Sequence, residues 1–186
     1  MSTVNHKVGL IIASACWLLI ATFASANEAP DNKIFLVRHF EKESVDTLNV
    51  QTKDPELATR GKARAQLLAT FLADKTITTV FSTNYKRTIQ TATPTAQQNG
   101  LTITFYNARE LADFALQLQT MSTKISGNIL VVGHSNTTPQ LLKLLGGPDK
   151  PLSENDYGDL FYLTAGGNNQ LNKNAAADSF QHVMIE

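Results

Sequence analysis

Arg38 and His39 stand side by side, directly after the apolar run Lys33-Ile34-Phe35-Leu36-Val37. A second histidine, His134, follows Gly133 at the end of another apolar run, Asn128 to Val132, and precedes Ser135. A second arginine, Arg87, lies in a segment led by Thr79-Val80-Phe81-Ser82-Thr83. Each alone has an ordinary explanation. A histidine after a strand is commonly a hydrogen-bonded structural residue, and an arginine on a helix is commonly solvated. Together they suit one chemistry. Planar guanidinium groups fork onto phosphate oxygens. A neutral imidazole can attack phosphorus and divide one hard displacement into two easier ones. Neighbouring arginine charges hold such an imidazole neutral and stabilise the equatorial oxygens during in-line transfer. Backbone N–H groups after His134, at an expected helix start, add an anion-binding edge. A metal centre fits the same set poorly. It needs a third ligand, His182 has no motif around it, and two arginines repel a cation. The expectation is a site without metal or cofactor.

Periodicity gives the elements that must bring these residues together. Short apolar runs at 33–37, 79–81, 101–106, 128–132, 160–164 and 180–185 read as strands. Helical spacing appears at 59–72, with Thr59 as N-cap, and at 84–98, stopped by Asn99-Gly100. It recurs at 109–124, where Leu111, Phe114, Ala115, Leu118 and Met121 share a face, and at 138–145, closed by Gly146-Gly147-Pro148. Ser44 to Pro55 is polar and reads as a loop, and the last two strands read as a hairpin with a long connection. Alternation of this kind predicts an α/β protein: a three-layer α/β/α sandwich around a mainly parallel sheet. In such sheets ligands bind beyond the carboxyl ends of the strands. Arg38-His39, Ser82-Thr83 with Arg87 beyond, and His134-Ser135 all follow such ends.

Composition sets the outer limits. The chain has 186 residues, 16 Lys+Arg against 16 Asp+Glu, 42% apolar and 17% charged residues. That balance describes a globular protein rather than a disordered one, and zero net charge speaks against a nucleic-acid partner. Lys7 precedes an uncharged stretch from Val8 to Ala26 that closes with Ala24-Ser25-Ala26. This is the layout of a secretory signal peptide, residues 1–26, cleaved after Ala26. An uncleaved anchor is the alternative, and lipidation at Cys16 is disfavoured because the apolar core continues past it. Cleavage leaves a single domain, residues 27–186, without cysteine and therefore without a disulfide or a thiolate nucleophile. Such a protein would be periplasmic or secreted, with no stable membrane association.

Four ordered blocks carry a family resemblance: Leu36-Val37-Arg38-His39, Leu57-Ala58-Thr59-Arg60-Gly61, the stretch Phe81 to Ala92 with its Ser82, Arg87, Thr91 and Ala92, and Val132-Gly133-His134-Ser135-Asn136. They resemble the signatures of the histidine phosphatase superfamily, which has the phosphoglycerate mutase-like fold. The resemblance implies that His39 is the nucleophile and becomes phosphohistidine. It implies that Arg38 and Arg87 hold the phosphoryl oxygens, with Ser135 beside them, and that His134 completes the pocket. It further implies a proton donor after the third strand, for which Glu110 is the candidate and Asp113 the fallback. A solvated acid in the first turn of a helix is the alternative for Glu110. Two features depart from the family pattern. Phe40 follows the nucleophile where Gly or Ala is usual, so its ring either narrows the pocket or packs into the core. No inter-strand segment is long enough for a capping subdomain, which implies a compact, capless and open site.

The expected activity is that of a metal-independent phosphoric monoester hydrolase of the histidine acid phosphatase type. Its partner would be a phosphorylated small molecule or a phosphorylated macromolecule. A mutase is disfavoured for an exported chain. The alternatives are a phosphohistidine-protein phosphatase and a non-catalytic phosphate-binding module.

Overall fold

The apolar run before His39 forms β1 (Asn32–Arg38), buried along nearly its whole length. Its side chains alternate between two faces, as a strand requires. Ile34 and Leu36 belong to one apolar cluster, Phe35 and Val37 to another. A strand covered on both faces is the centre of a layered α/β structure.

The computed structural model describes residues 32–44, 53–165 and 180–186. The expected signal peptide and its cleavage point, most of the 44–55 loop, and the Gly-Asn and Ala stretches near the C-terminus lie outside the described residues. After β1 come α1 (Thr59–Phe71), β2 (Ile77–Ser82), α2 (Lys86–Gln98), β3 (Ile103–Phe105), α3 (Leu111–Ser122), β4 (Asn128–Gly133), α4 (Thr137–Leu144), β5 (Asp159–Ala165) and β6 (Phe180–Met184). The strands form one sheet in the order β3-β2-β4-β1-β5-β6. The first four in that order run parallel, and β5 and β6 close the sheet as an antiparallel pair. On one face Leu111, Phe114 and Leu118 of α3 and Leu141 and Leu142 of α4 meet Ile34, Leu36, Ile129 and Val131. On the other, Leu68 of α1 and Ala92 and Ala96 of α2 meet Phe35, Val37, Leu130 and Val132. This is the expected three-layer α/β/α sandwich.

Two local expectations are corrected. Thr59 is the first residue of α1 rather than its cap; Ala58 holds the cap position and no side chain closes it. The third strand is only three residues long. Leu101 is unavailable to it because its N–H donates to the Ala96 carbonyl, finishing α2.

Candidate active site

The sheet order brings both histidines to adjacent strand ends. Arg38 lies opposite Gly133 in the β1–β4 register, and the His39 N–H donates to the Gly133 carbonyl at 2.9 Å. The two imidazole rings leave these ends with centroids 5.4 Å apart at 71°. Gly133 is required there by space. A Cβ on it would come within 3 Å of the Thr137 and Thr138 hydroxyls and the Tyr106 hydroxyl. On the other side of β4, β2 ends at Ser82, so Thr83 reaches His134 and α2 begins with Arg87 in its first turn.

Hydrogen bonds fix the tautomer of each ring. His39 Nδ1 lies 2.8 Å from the Phe40 carbonyl oxygen. A carbonyl only accepts, so Nδ1 carries the proton and Nε2 keeps its lone pair. His134 Nδ1 accepts from Arg87 Nη2 at 3.4 Å, and its Nε2–H donates to Thr83 Oγ1 at 2.9 Å. Thr83 Oγ1 passes a bond on to Thr88 Oγ1 at 3.0 Å, and the Thr88 hydroxyl donates to the Thr83 carbonyl at 2.8 Å. Burial lowers the pKa of His39 to about 3, helped by the charges of Arg87 and Arg38 and opposed by the bond to Phe40. Burial likewise lowers that of His134 to about 4, with Arg87 and Arg38 next. The arginines thus act in the expected direction, but loss of water is the larger cause. Both rings are neutral at neutral pH, and His39 presents the lone pair that a nucleophile needs.

A hollow of about 590 Å³ opens over these rings, lined by His39, Arg87, His134 and Ser135, and by Lys42, Arg109 and Glu154 among others. Arg87 lies over the Tyr85 ring at 4.6 Å and is steadied by Asp54, whose carboxylate is 3.4 Å from Arg87 Nη1. The same carboxylate accepts the Lys86 N–H at the start of α2. Arg38 is only 2% exposed. Its Nη1 donates to the Ser153 and Asp156 carbonyls at 2.7 and 3.0 Å, its Nη2 to Glu154 at 3.1 Å, and its face lies 4.2 Å from the Tyr157 ring centre. The Nε–H groups of both arginines are buried and have no partner among the described residues. An unpaired buried donor is costly, and an anion is a group that satisfies one.

His39, Arg87, His134 and Ser135 therefore share one wall, while Arg38 is not on it and meets the hollow through Glu154. Glu110 and Asp113 line a separate hollow of about 210 Å³ with Phe81, Tyr106 and Phe114. Phe40 is fully buried and packs with Leu57, Ala65 and Leu68, so its ring belongs to the core and leaves the hollow clear. The His134 N–H itself donates to Thr137 Oγ1 at 2.8 Å, which ties the strand end to the first turn of α4. Sequence reasoning missed Thr83, Asp54, Glu154 and Tyr157. Thr83 follows a strand end and was findable on that ground. Glu154 and Tyr157 come from the 146–158 connection, which has no periodicity. Among the described residues no group of three or more His, Cys, Asp or Glu side chains could hold a metal ion. None of the described helices is long and apolar enough to cross a membrane.

Residues 34–117 match the sequence profile of the histidine phosphatase superfamily (branch 1). The protein histidine phosphatase SixA, solved with tungstate, superposes with a TM-score of 0.60 at 15% identity, covering 81% of this chain and 94% of that one. The fold is that of the histidine phosphatase superfamily. The α-ribazole phosphatase of Shigella flexneri shares this fold with a TM-score of 0.58 at 17% identity, over 73% of this chain and 91% of its own. A mycobacterial glucosyl-3-phosphoglycerate phosphatase does so with a TM-score of 0.54 at 13% identity, over 82% and 96%. No protein of curated function matches the sequence.

Proposed function

We propose that this chain is a histidine phosphatase that hydrolyses phosphomonoesters without a metal, through a phosphohistidine on His39. The observation that carries this reading is a neutral histidine pair at 5.4 Å, beside two arginines that each keep a buried, unpaired Nε–H. His39 Nε2 attacks phosphorus in line, the P–N bond forms, and the P–O bond to the leaving group breaks. Arg87 stabilises the charge on the equatorial oxygens, its guanidinium oriented by the Nδ1 lone pair of His134, whose one N–H is held by Thr83, and Arg38 joins it where its donors become free. Water then attacks the phosphoimidazole, phosphate departs, and His39 returns to its starting tautomer, its Nδ1–H still bonded to Phe40. The signal-peptide reading, with cleavage after Ala26 and a periplasmic or secreted domain of residues 27–186, belongs to the same proposal. So does a capless, open site acting on a phosphorylated small molecule or macromolecule.

A second reading, a phosphohistidine-protein phosphatase, is favoured by the acids. Glu110 and Asp113 line the neighbouring hollow. The acid on this wall, Glu154, is kept ionised by the Ser135 hydroxyl and Arg38. Leaving groups that depart with little help from an acid, aryl oxides and the imidazole of a phosphohistidine, suit such a wall better than alkoxides.

The test is hydrolysis of an aryl phosphate by residues 27–186 in excess EDTA. Turnover is expected to persist with chelator and to fall by about 10³-fold or more in His39→Ala. Loss of activity with EDTA, or an unchanged rate in His39→Ala, would overturn the reading.

A further inference from the structure

Glu154 has a use that none of the expected roles covers. Its Oε2 takes Arg38 Nη2 at 3.1 Å and its Oε1 takes the Ser135 hydroxyl at 2.5 Å. A carboxylate bridging two donors in this way imitates two oxygens of a phosphoryl group. Both donors belong to the set assigned to the phosphoryl oxygens. We infer that Glu154 is a specificity-determining residue, an internal anion whose carboxylate occupies part of the phosphoryl-binding surface and must be displaced by the substrate. This rests on the phosphoryl-binding reading above.

Three observations support it. Arg38 does not reach the wall of the hollow, whereas the carboxylate bound to it does. Displacement needs only a side-chain rotation. Arg38 Nη1 holds the turn by the Ser153 and Asp156 carbonyls, and the Asp156 carboxylate accepts the Ser153 N–H at 2.7 Å. The Glu154 side chain itself is 71% exposed, so it can swing into water as an incoming anion takes over its contact to the buried Arg38. And Arg38 keeps a buried Nε–H free of protein partners, a donor that a displacing anion can take in addition to Nη2.

The consequence is a raised threshold for binding. Free inorganic phosphate must compete with Glu154 using its own oxygens alone. A substrate brings further contacts through its leaving group, including the Lys42 and Arg109 side chains on the same wall. Glu154 therefore lowers affinity for the product more than for the substrate.

The sign of one mutational effect decides between this role and its opposite. A residue that merely orients Arg38 would weaken anion binding when removed, whereas an internal competitor strengthens it. Inorganic phosphate binding is measured by titration calorimetry on the wild type, Glu154→Gln and Glu154→Ala. Its inhibition constant is measured against an aryl phosphate in the same proteins. Phosphate is expected to bind about tenfold more tightly to both variants, the scale of one charge-assisted contact no longer in competition. Equal or weaker affinity in the variants overturns the proposal, as does absence of phosphate binding in all three proteins. Because calorimetry needs no turnover, tighter binding in a protein without activity would support the Glu154 role while removing the enzymatic reading. Glu154 is exposed, so both substitutions leave the fold intact.

Discussion

Thr83 is absent from the wall of the hollow, yet it decides which nitrogen of His134 faces the chemistry. Its hydroxyl takes the Nε2–H at 2.9 Å, which leaves Nδ1 as the acceptor toward Arg87. Thr83 and Thr88 are both buried, so the ring cannot satisfy this donor from solvent instead. Thr83→Val preserves the shape and removes the acceptor. The ring then either keeps a buried unmet donor, which loosens its hold, or turns over, which takes the lone pair away from Arg87. The expected result is a fall of about tenfold to a hundredfold in kcat/KM, the range seen when a supporting partner of a working histidine is lost. Thr83→Ser, which keeps the hydroxyl, should restore most of the rate. Equal kcat/KM in the valine variant would show that the tautomer of His134 is set elsewhere. Phe40 makes the complementary point: its backbone carbonyl fixes the other histidine while its ring serves only the core.

At the scale of elements, α1 is fastened to the segment that follows the nucleophile. The Glu41 carboxylate lies 3.3 Å from Arg60 Nε and 3.2 Å from Arg64 Nη1, and the Ala58 N–H donates to the Glu41 carbonyl at 2.9 Å. Gly61 makes this approach possible. A Cβ there would sit 2.2 Å from the Glu41 carbonyl oxygen, a backbone atom that has no rotamer to yield. Gly61→Ala should therefore destabilise by about 2 kcal/mol, read as a lower urea midpoint at unchanged m-value, and should also lower turnover by shifting Phe40 and with it His39. A midpoint equal to the wild type would mean the helix can slide without cost. This contact shows what the sequence does and does not disclose. The alternation in β1, the Arg38-His39 and Gly133-His134 junctions and the four helices were legible, because each is a local pattern of period or chemistry. The Gly61–Glu41 approach was not, because it depends on how two elements pack. Glu110 was placed by its position after the third strand, and that segment does reach the hollow through Arg109, while Glu110 itself lines the neighbouring one. Which of two successive side chains enters a hollow depends on how the segment turns into α3, and no local spacing encodes it. Asp54 and Glu154 stayed hidden for a similar reason: each acts on an arginine far away in sequence, from a segment with no pattern of its own.

For the molecule as a whole, a neutral histidine pair, His39 buried and His134 half-buried, links the site to stability. His39 is 4% exposed and its pKa is lowered to about 3, while in the unfolded chain it titrates near 6.5. Between those values the unfolded state binds a proton that the folded state refuses. Stability is therefore full above pH 6.5, falls as the pH drops below it, and stops falling on this account near pH 3. His134, lowered to about 4, acts in the same direction over a narrower range. The carboxylates held below their ordinary range, Glu56, Asp74, Glu154 and Asp156, also withdraw stability in acid. They do so as the pH falls through and below the usual carboxylate values of 4.5 and 3.8, so the interval from pH 6.5 to 5 isolates the histidines. His39 alone should remove about 2 kcal/mol between pH 7.5 and 5.0. Urea unfolding at these two pH values reads the difference directly. His39→Gln, which keeps a polar side chain but cannot titrate, should lose about half of the pH dependence while the remainder persists through His134. A stability that is flat between pH 7.5 and 5.0 would mean that the folded protein accepts these protons. The imidazole assigned as nucleophile would then be cationic in mild acid and unable to attack phosphorus there.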